Sequence, residues 1–267
     1  MSLMKKFCRK FIVAEHDIRH NRVICVENGK VIKSYLIDNP LDLQLLANGH
    51  LLLSSNKAIV ELDKDWKEVW KIESTRLAFF SCYQTAKGNI VFGDATRARI
   101  CEVNKKNEIQ RSFDFPFVEE PGEYLYAFRL IRPKGEDHLL VACHSKHKLV
   151  EFDWNGKIYW EMDLPDAPYM PLQLEDGNIL VSLGPSGKIV EVNTKKKIVW
   201  EYDMKRDNNL EAGWIAGISI LAGGNIVYSD SQFDRLIEIT RRKRLVSAFQ
   251  DRNVLLHPST NIIIEQE

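Results

Sequence analysis

The chain has 267 residues, 45% of them hydrophobic, with 37 basic and 37 acidic side chains. That apolar content can bury a large core, which excludes disorder and a disulfide-stapled mini-domain, and zero net charge gives no global attraction to nucleic acid or anionic membranes. No apolar run approaches the ~20 residues of a membrane-spanning helix, and five scattered cysteines (Cys8, Cys25, Cys82, Cys101, Cys143) without a CxxC pair argue against a disulfide framework or a thiolate zinc site.

In chain order, Met1-Ser2-Leu3 ahead of a second methionine, Met4, reads as a short leader before a native start. Lys5-Lys6-Phe7-Cys8-Arg9-Lys10 is basic but lacks the apolar centre of a secretory signal. A cytoplasmic protein is therefore expected, with prior removal of a signal peptide as the alternative. Phe11–Val13, Arg22–Glu27 and Val31–Leu36 then read as three strands with no innermost partner before them.

From residue 48 a turn followed by an apolar triplet recurs. The copies are Asn48-Gly49-His50 before Leu51–Leu53, Lys87-Gly88-Asn89 before Ile90–Phe92, Asp176-Gly177-Asn178 before Ile179–Val181, and Gly223-Gly224-Asn225 before Ile226–Tyr228. A looser copy, Gly135–His138, precedes Leu139–Val141. Glycine and asparagine there supply the positive φ of a tight hairpin. Each triplet is followed by two apolar residues, a glutamate, another apolar residue, then Asp, Asn or Thr. These glutamates are Glu61, Glu102, Glu151, Glu191 and Glu238, spaced by 41, 49, 40 and 47 residues, and Cys25 occupies the same frame 36 residues before Glu61. Recurrence in one strand position suggests a structural task, with Arg99, Lys148, Lys188 and Arg235 as the expected ionic partners. A charged turn then leads to a last strand ending in tryptophan at Trp70, Trp160 and Trp200. Such periods with β-type runs belong to four-stranded propeller blades. Five complete units, the split N-terminal one, and a lone strand at Asn261–Ile264 give an all-β, six-bladed β-propeller. It spans residues 1–267 as one domain and is closed by pairing of the C-terminal strand with the N-terminal blade segment.

The segment Asp153-Trp154-Asn155-Gly156-Lys157-Ile158-Tyr159-Trp160 resembles the repeat of PQQ-like (quinoprotein-type) β-propellers. The resemblance covers nearly the whole chain and implies tryptophans packed between neighbouring blades. The enzymes of that family have eight blades and usually adjacent cysteines, both missing here, so no PQQ site and no other cofactor is expected.

The loops between second and third strands, and those entering each first strand, share the face around the channel mouth. Polar and aromatic residues assigned there are the candidate ligand-binding set: His16, Asp94, Tyr126, Arg129, His144, Tyr169, Trp214 and Asp230. Tyr83 is placed with them. The long segments Phe115–Gly122 and Lys205–Gly213 are expected to rise on this face and frame the site with Trp214 and Arg129. His144 and His147 lie three apart in a loop, which does not make a chelating pair, and no metal site is expected. Asp42 is the one innermost-strand carboxylate placed as six-bladed calcium lactonases would need it. No catalytic motif fixes a nucleophile. The expected function is non-catalytic binding of a small polar ligand or a protein partner at the mouth. The alternatives are an arylsulfotransferase-like or lactonase-like enzyme acting there, and an assembly scaffold. On the opposite face Lys195, Lys196, Lys197, Arg241, Arg242, Lys243 and Arg244 form a basic patch that suits an anionic partner.

Overall fold

Each apolar triplet becomes the second strand of a four-stranded antiparallel sheet and is buried because neighbouring sheets cover both its faces. The computed structural model describes residues 5–17, 20–75, 79–118 and 127–264. They form the six blades of a β-propeller. From the axis outward, blade 1 runs Pro258–Ile264, Lys10–Glu15, Arg22–Glu27 and Lys30–Leu36, and blade 2 Pro40–Leu45, Leu51–Ser55, Ala58–Leu62 and Glu68–Glu73. Blade 3 comprises Phe79–Gln84, Ile90–Asp94, Arg99–Val103 and Ile109–Asp114; blade 4, Ile131–Lys134, His138–Cys143, Lys148–Asp153 and Ile158–Asp163. Blade 5 comprises Pro168–Gln173, Ile179–Leu183, Lys188–Val192 and Ile198–Asp203; blade 6, Ile215–Ile220, Ile226–Asp230, Arg235–Ile239 and Leu245–Phe249. The innermost strands touch one another in an unbroken cycle, so the ring is closed.

Closure follows the expected route, with a longer strand: Pro258–Ile264 pairs antiparallel with Lys10–Glu15, from Lys10 opposite Ile264 to Glu15 opposite Pro258. A second contact at the same seam was not legible in the sequence. Lys5–Lys6 adds a parallel strand to the outer edge of blade 6. Phe7 is buried against Phe11, which meets Phe249 edge-on, and Arg9 reaches Glu238 with two bonds.

The repeated residues have local tasks. Gly49 and Gly177 adopt φ of +82° and +85° in the hairpins before the second strands, where a side chain would be strained. Asp63, Asn104, Asp153 and Asn193 accept N–H bonds from the residues two and four positions on, which shapes the turn into each fourth strand. The glutamates mark β-bulges. Register shifts by one residue beside Glu61, Glu102, Glu151, Glu191, Glu238 and Cys25, and the bulge turns the outer strand further.

The glutamates are structural, but their expected partners are wrong. Arg99 pairs with Asp114, Lys148 with Glu161, Lys188 with Asp203 and Arg235 with Asp230. Each of these cations lies three residues before its glutamate, and odd spacing along a strand places side chains on opposite faces. The glutamates instead bind His50, Asn89, His138, Asn178 and Asn225, each just ahead of the second strand except His138, which is its first residue. A cation completes each pair: Lys105, Arg111, Lys134, Arg241 and Arg9 respectively.

Candidate functional site

A buried polar network joins the innermost strands of several blades. Arg132, from blade 4, donates to both oxygens of fully buried Asp42 in blade 2, at 2.7 and 2.8 Å. The same carboxylate accepts from Ser81 Oγ at 2.8 Å, Cys82 N and Leu43 N. Beside it, the Tyr169 hydroxyl meets Ser259 Oγ at 2.6 Å, and Ser259 and Thr260 donate to the Leu41 carbonyl. Asp42, the sequence candidate for calcium, has both oxygens engaged by protein donors. Among the described residues no three His, Cys, Asp or Glu side chains group as metal ligands.

Above this floor opens a cavity of about 500 Å³, lined by His16, Asn39, Leu41, Phe80, Arg129, Tyr169, Trp214, Ser231, Gln232 and His257. Strand ends and loops of every blade contribute, because each chain entry to a first strand converges there. Arg129 lies over the Phe80 ring, with Cζ 5.5 Å from its centroid. Trp214 rests on Gly184, where a Cβ would come within 2.7 Å of the indole, and its other neighbour is the His144 ring at 5.9 Å. The His16 Nδ1 faces the His257 carbonyl at 3.3 Å, and the two imidazoles meet edge-on. Burial, reinforced by the Arg129 charge, lowers the His144 pKa to about 4, and burial also lowers that of His16. Both rings are neutral at physiological pH. His144 Nδ1 donates to the Pro168 carbonyl at 3.0 Å, which leaves Nε2 with the lone pair.

Four of the eight sequence candidates, His16, Arg129, Tyr169 and Trp214, thus line one cavity, and His144 stands behind Trp214. Two do not join them. Asp94 closes its own turn, accepting from Thr96 and Arg97. Asp230 is fully buried against Arg235 and lies under Gly213, where a Cβ would strike its Oδ1 at 2.1 Å. Both sit at the end of a second strand, where the side chain turns into the blade. Tyr126 lies outside the described residues. Tyr83 is corrected: as the fifth residue of its strand it lies toward the opposite face, lining a groove of about 340 Å³ with Lys87, Glu102, Arg111 and Pro133.

The two long segments also differ from expectation. Phe115 and Phe117 pack on Phe152 between blades 3 and 4, drawn in by an aromatic cluster; the rest of that segment is largely outside the described residues. The other forms a short helix, α1 (Met204–Asn208), capped by Asp203, whose carboxylate accepts from Lys205 N and Arg206 N. Met204 is buried, and Asn208 bonds Tyr202 and the Lys243 carbonyl of blade 6. Only the end of the segment delivers a side chain, Trp214, to the mouth. Asn39, Ser231, Gln232 and His257 are lining residues that the sequence reading missed; Pro40 and Pro258, each following one of them, were the available signal for a strand entry. In the basic patch, Lys195–Lys197 are exposed, but Arg241 is bound to Glu191 and stacked on Trp200, which removes it from the free charge of the cluster.

The fold and this mouth define a six-bladed propeller with an aromatic, polar cavity among the entries to its first strands. No protein-family model and no curated protein sequence matches the chain. Solved structures do. A protein of unknown function from Bacteroides caccae superposes with a TM-score of 0.82 at 19% identity, covering 97% of this chain and all of that one. Virginiamycin B lyase from Staphylococcus aureus superposes at 0.64 and 16% identity over 93% of this chain and 83% of its own. The WD40 propeller domain of Doa1 gives 0.65 at 11% identity, over 86% and 74%. At such identities these likenesses establish the propeller fold. Among this chain's described residues no helix is long and apolar enough to cross a membrane.

Proposed function

We propose that this protein is a non-catalytic binding propeller that holds a small polar organic ligand at the channel mouth. The observation that carries this reading is the convergence of Trp214, Phe80, Tyr169, Arg129 and His16 on one cavity of about 500 Å³. Its size falls within the ~300–1,000 Å³ of small-molecule sites, and aromatic walls with few polar groups are their usual make-up. The resemblance to PQQ-like repeats belongs to the same proposal, as a scaffold without the cofactor. It is supported by Trp70, Trp160 and Trp200, whose indole N–H groups each donate to a carbonyl of the next blade.

The test is a thermal-shift screen of polar aromatic compounds, since a ligand of the native state raises the melting temperature. The expected hits lose their effect in Trp214→Ala. Hits that ignore Trp214→Ala and respond to Arg111→Ala would move the site to the opposite face and overturn the reading. One observation favours a catalytic alternative: His16 and His144 are neutral imidazoles, as a general base must be. A virginiamycin B lyase with a histidine-to-alanine substitution, described as catalytically inactive, was solved with quinupristin. Turnover of a bound hit that disappears in His16→Ala would select that alternative.

A further inference from the structure

The groove on the opposite face, at the seam between blades 3 and 4, owes its existence to one departure from the repeat. After the first strands of blades 2, 3, 5 and 6, one residue donates its N–H to the carbonyl just ahead of the second strand: Leu46, Thr85, Leu174 and Leu221. Leu46 packs into the cluster between blades 2 and 3, Leu174 against that between blades 5 and 6, and Leu221 into that between blades 6 and 1. Blade 4 carries Lys134 at this place, bound to Glu151. Blade 3 carries Thr85, whose shorter side chain leaves its seam unfilled. The groove of about 340 Å³ takes up that space, lined by Tyr83, Gln84 and Arg111 of blade 3 and by Pro133 of blade 4.

The polar groups there are short of partners. The Thr85 hydroxyl is closed off from solvent and bonds nothing, a cost that leucine would have avoided. Tyr83 is buried, yet its hydroxyl makes no hydrogen bond among the described residues. Gln84 donates Nε2 to the Gly88 carbonyl, which leaves its Oε1 as an acceptor, and Arg111 spends Nε on Glu102, which leaves it further N–H groups. Charge among the described lining residues balances, Lys87 and Arg111 against Glu102 and Glu136, so the groove has no net pull on an ion.

We infer that this groove is a second binding site, separate from the mouth, for a neutral polyhydroxylated ring the size of one monosaccharide. Sugar hydroxyls both donate and accept, so they can pair with the Tyr83 and Thr85 hydroxyls, with Gln84 Oε1 and with the Arg111 N–H groups. Thr85 loses no bond when it turns its hydroxyl into the groove. Pro133 and Ala86 on the same lining offer apolar contact to the C–H face of the ring. The volume stands at the lower end of the ~300–1,000 Å³ of small-molecule sites, which suits a single ring.

The experiment is a ligand-detected NMR titration of the full chain with the methyl β-glycosides of glucose, galactose and mannose, and with cyclohexanol. At least one glycoside is expected to bind, at least about tenfold more tightly than cyclohexanol, which has the ring without the further hydroxyls. Thr85→Leu installs the residue that blades 2, 5 and 6 carry, so it should melt no lower than the unaltered protein and should lose glycoside binding. Tyr83→Phe removes an oxygen that bonds no described residue. It should keep the melting temperature and weaken binding about three- to tenfold, the worth of one neutral hydrogen bond. Trp214→Ala should leave glycoside binding unchanged, which separates this groove from the mouth. Failure of every glycoside to bind, binding unchanged in Thr85→Leu, or binding lost in Trp214→Ala overturns the site. Cyclohexanol bound as tightly as the glycosides overturns the ligand class. Should Thr85→Leu melt lower, Tyr83→Phe decides alone, and unchanged binding there overturns the site.

Discussion

Lys33, Trp70, Arg111, Trp160, Trp200 and Ser247 occupy one position of the repeat, opposite Cys25 or a bulge glutamate. Lys33, Trp70, Trp160 and Trp200 each donate to the carbonyl of the first turn residue in the next blade, at Lys64, Lys105, Thr194 and Arg241. Between blades 2 and 3 the turn cation Lys105 stacks on Trp70 at 4.8 Å, and between blades 5 and 6 Arg241 stacks on Trp200 at 4.5 Å. Between blades 3 and 4 the two partners have changed places, with Arg111 in the strand and Trp154 in the turn at 4.0 Å. If the stack is what holds the seam, either single change, Arg111→Ala or Trp154→Ala, should cost about 1–2 kcal/mol, and the pair should show a coupling of about 0.5–1 kcal/mol. Denaturant melts of the four proteins measure it; additive losses would assign the effect to separate contacts. At the mouth, Gly184→Ala is the corresponding probe, because its Cβ would displace Trp214. Overpacking of this kind costs about 1–3 kcal/mol, and titration should show mouth binding weakened although no lining side chain has changed.

The strand Pro258–Ile264 closes blade 1 and also bridges to blade 6, where Asn261 bonds the Gly217 carbonyl and Ser229. A chain ending at residue 257 would leave the Lys10–Glu15 strand with a bare inner edge, so it should aggregate; a monomer with unchanged melting on size-exclusion and calorimetry would contradict this. The third-strand glutamates set the acid response. Burial by itself raises the Glu238 carboxyl, but bonds from Arg9, Asn225 and Ser247 outweigh burial and hold its pKa below 4.5. Glu61 and Glu151 are lowered by the same balance. A carboxyl whose folded pKa lies below its unfolded one contributes stability that is complete above the unfolded value and is lost as pH falls through the folded one. The melting temperature should therefore drop on acidification below about pH 4.5, the unfolded value for Glu238, and Glu238→Gln should flatten that drop. Glu15 and Asp230, raised by burial, work in the opposite sense and contribute more as pH falls. Blade number, closure and turn chemistry were legible in the residues because each blade repeats the same local rules. The glutamates' cations were not, since they stand at no fixed spacing: Arg111 and Lys134 come from other strands of the same blade, whereas Lys105, Arg241 and Arg9 reach across a seam.

Across the whole ring, Asp42 and Arg132 join blades 2 and 4, and Ser81 draws in blade 3. Asp42→Asn leaves a buried guanidinium uncompensated and should cost about 3–5 kcal/mol, whereas Asp42→Leu with Arg132→Met should recover most of that; thermal melting of both variants decides it. Half of the candidate mouth was visible in advance for a topological reason. Loops entering first strands can be assigned to a face by counting strands, but whether an aspartate points to the axis or into its blade depends on the residue opposite it, as Arg235 shows for Asp230. The seam between blades 1 and 6 has a further consequence, in time. Lys10 pairs with Ile264, and Lys5 with Ser247, so strands at the start of the ring are completed by strands more than 200 residues later in the chain. During synthesis five blades can form while the ring remains an open arc, with the inner edge of the Lys10–Glu15 strand unpaired until Pro258–Ile264 follows. Contacts of such sequence separation form slowly, and arcs with bare edges associate with one another. Refolding yield should accordingly fall with protein concentration even where the native protein remains monomeric.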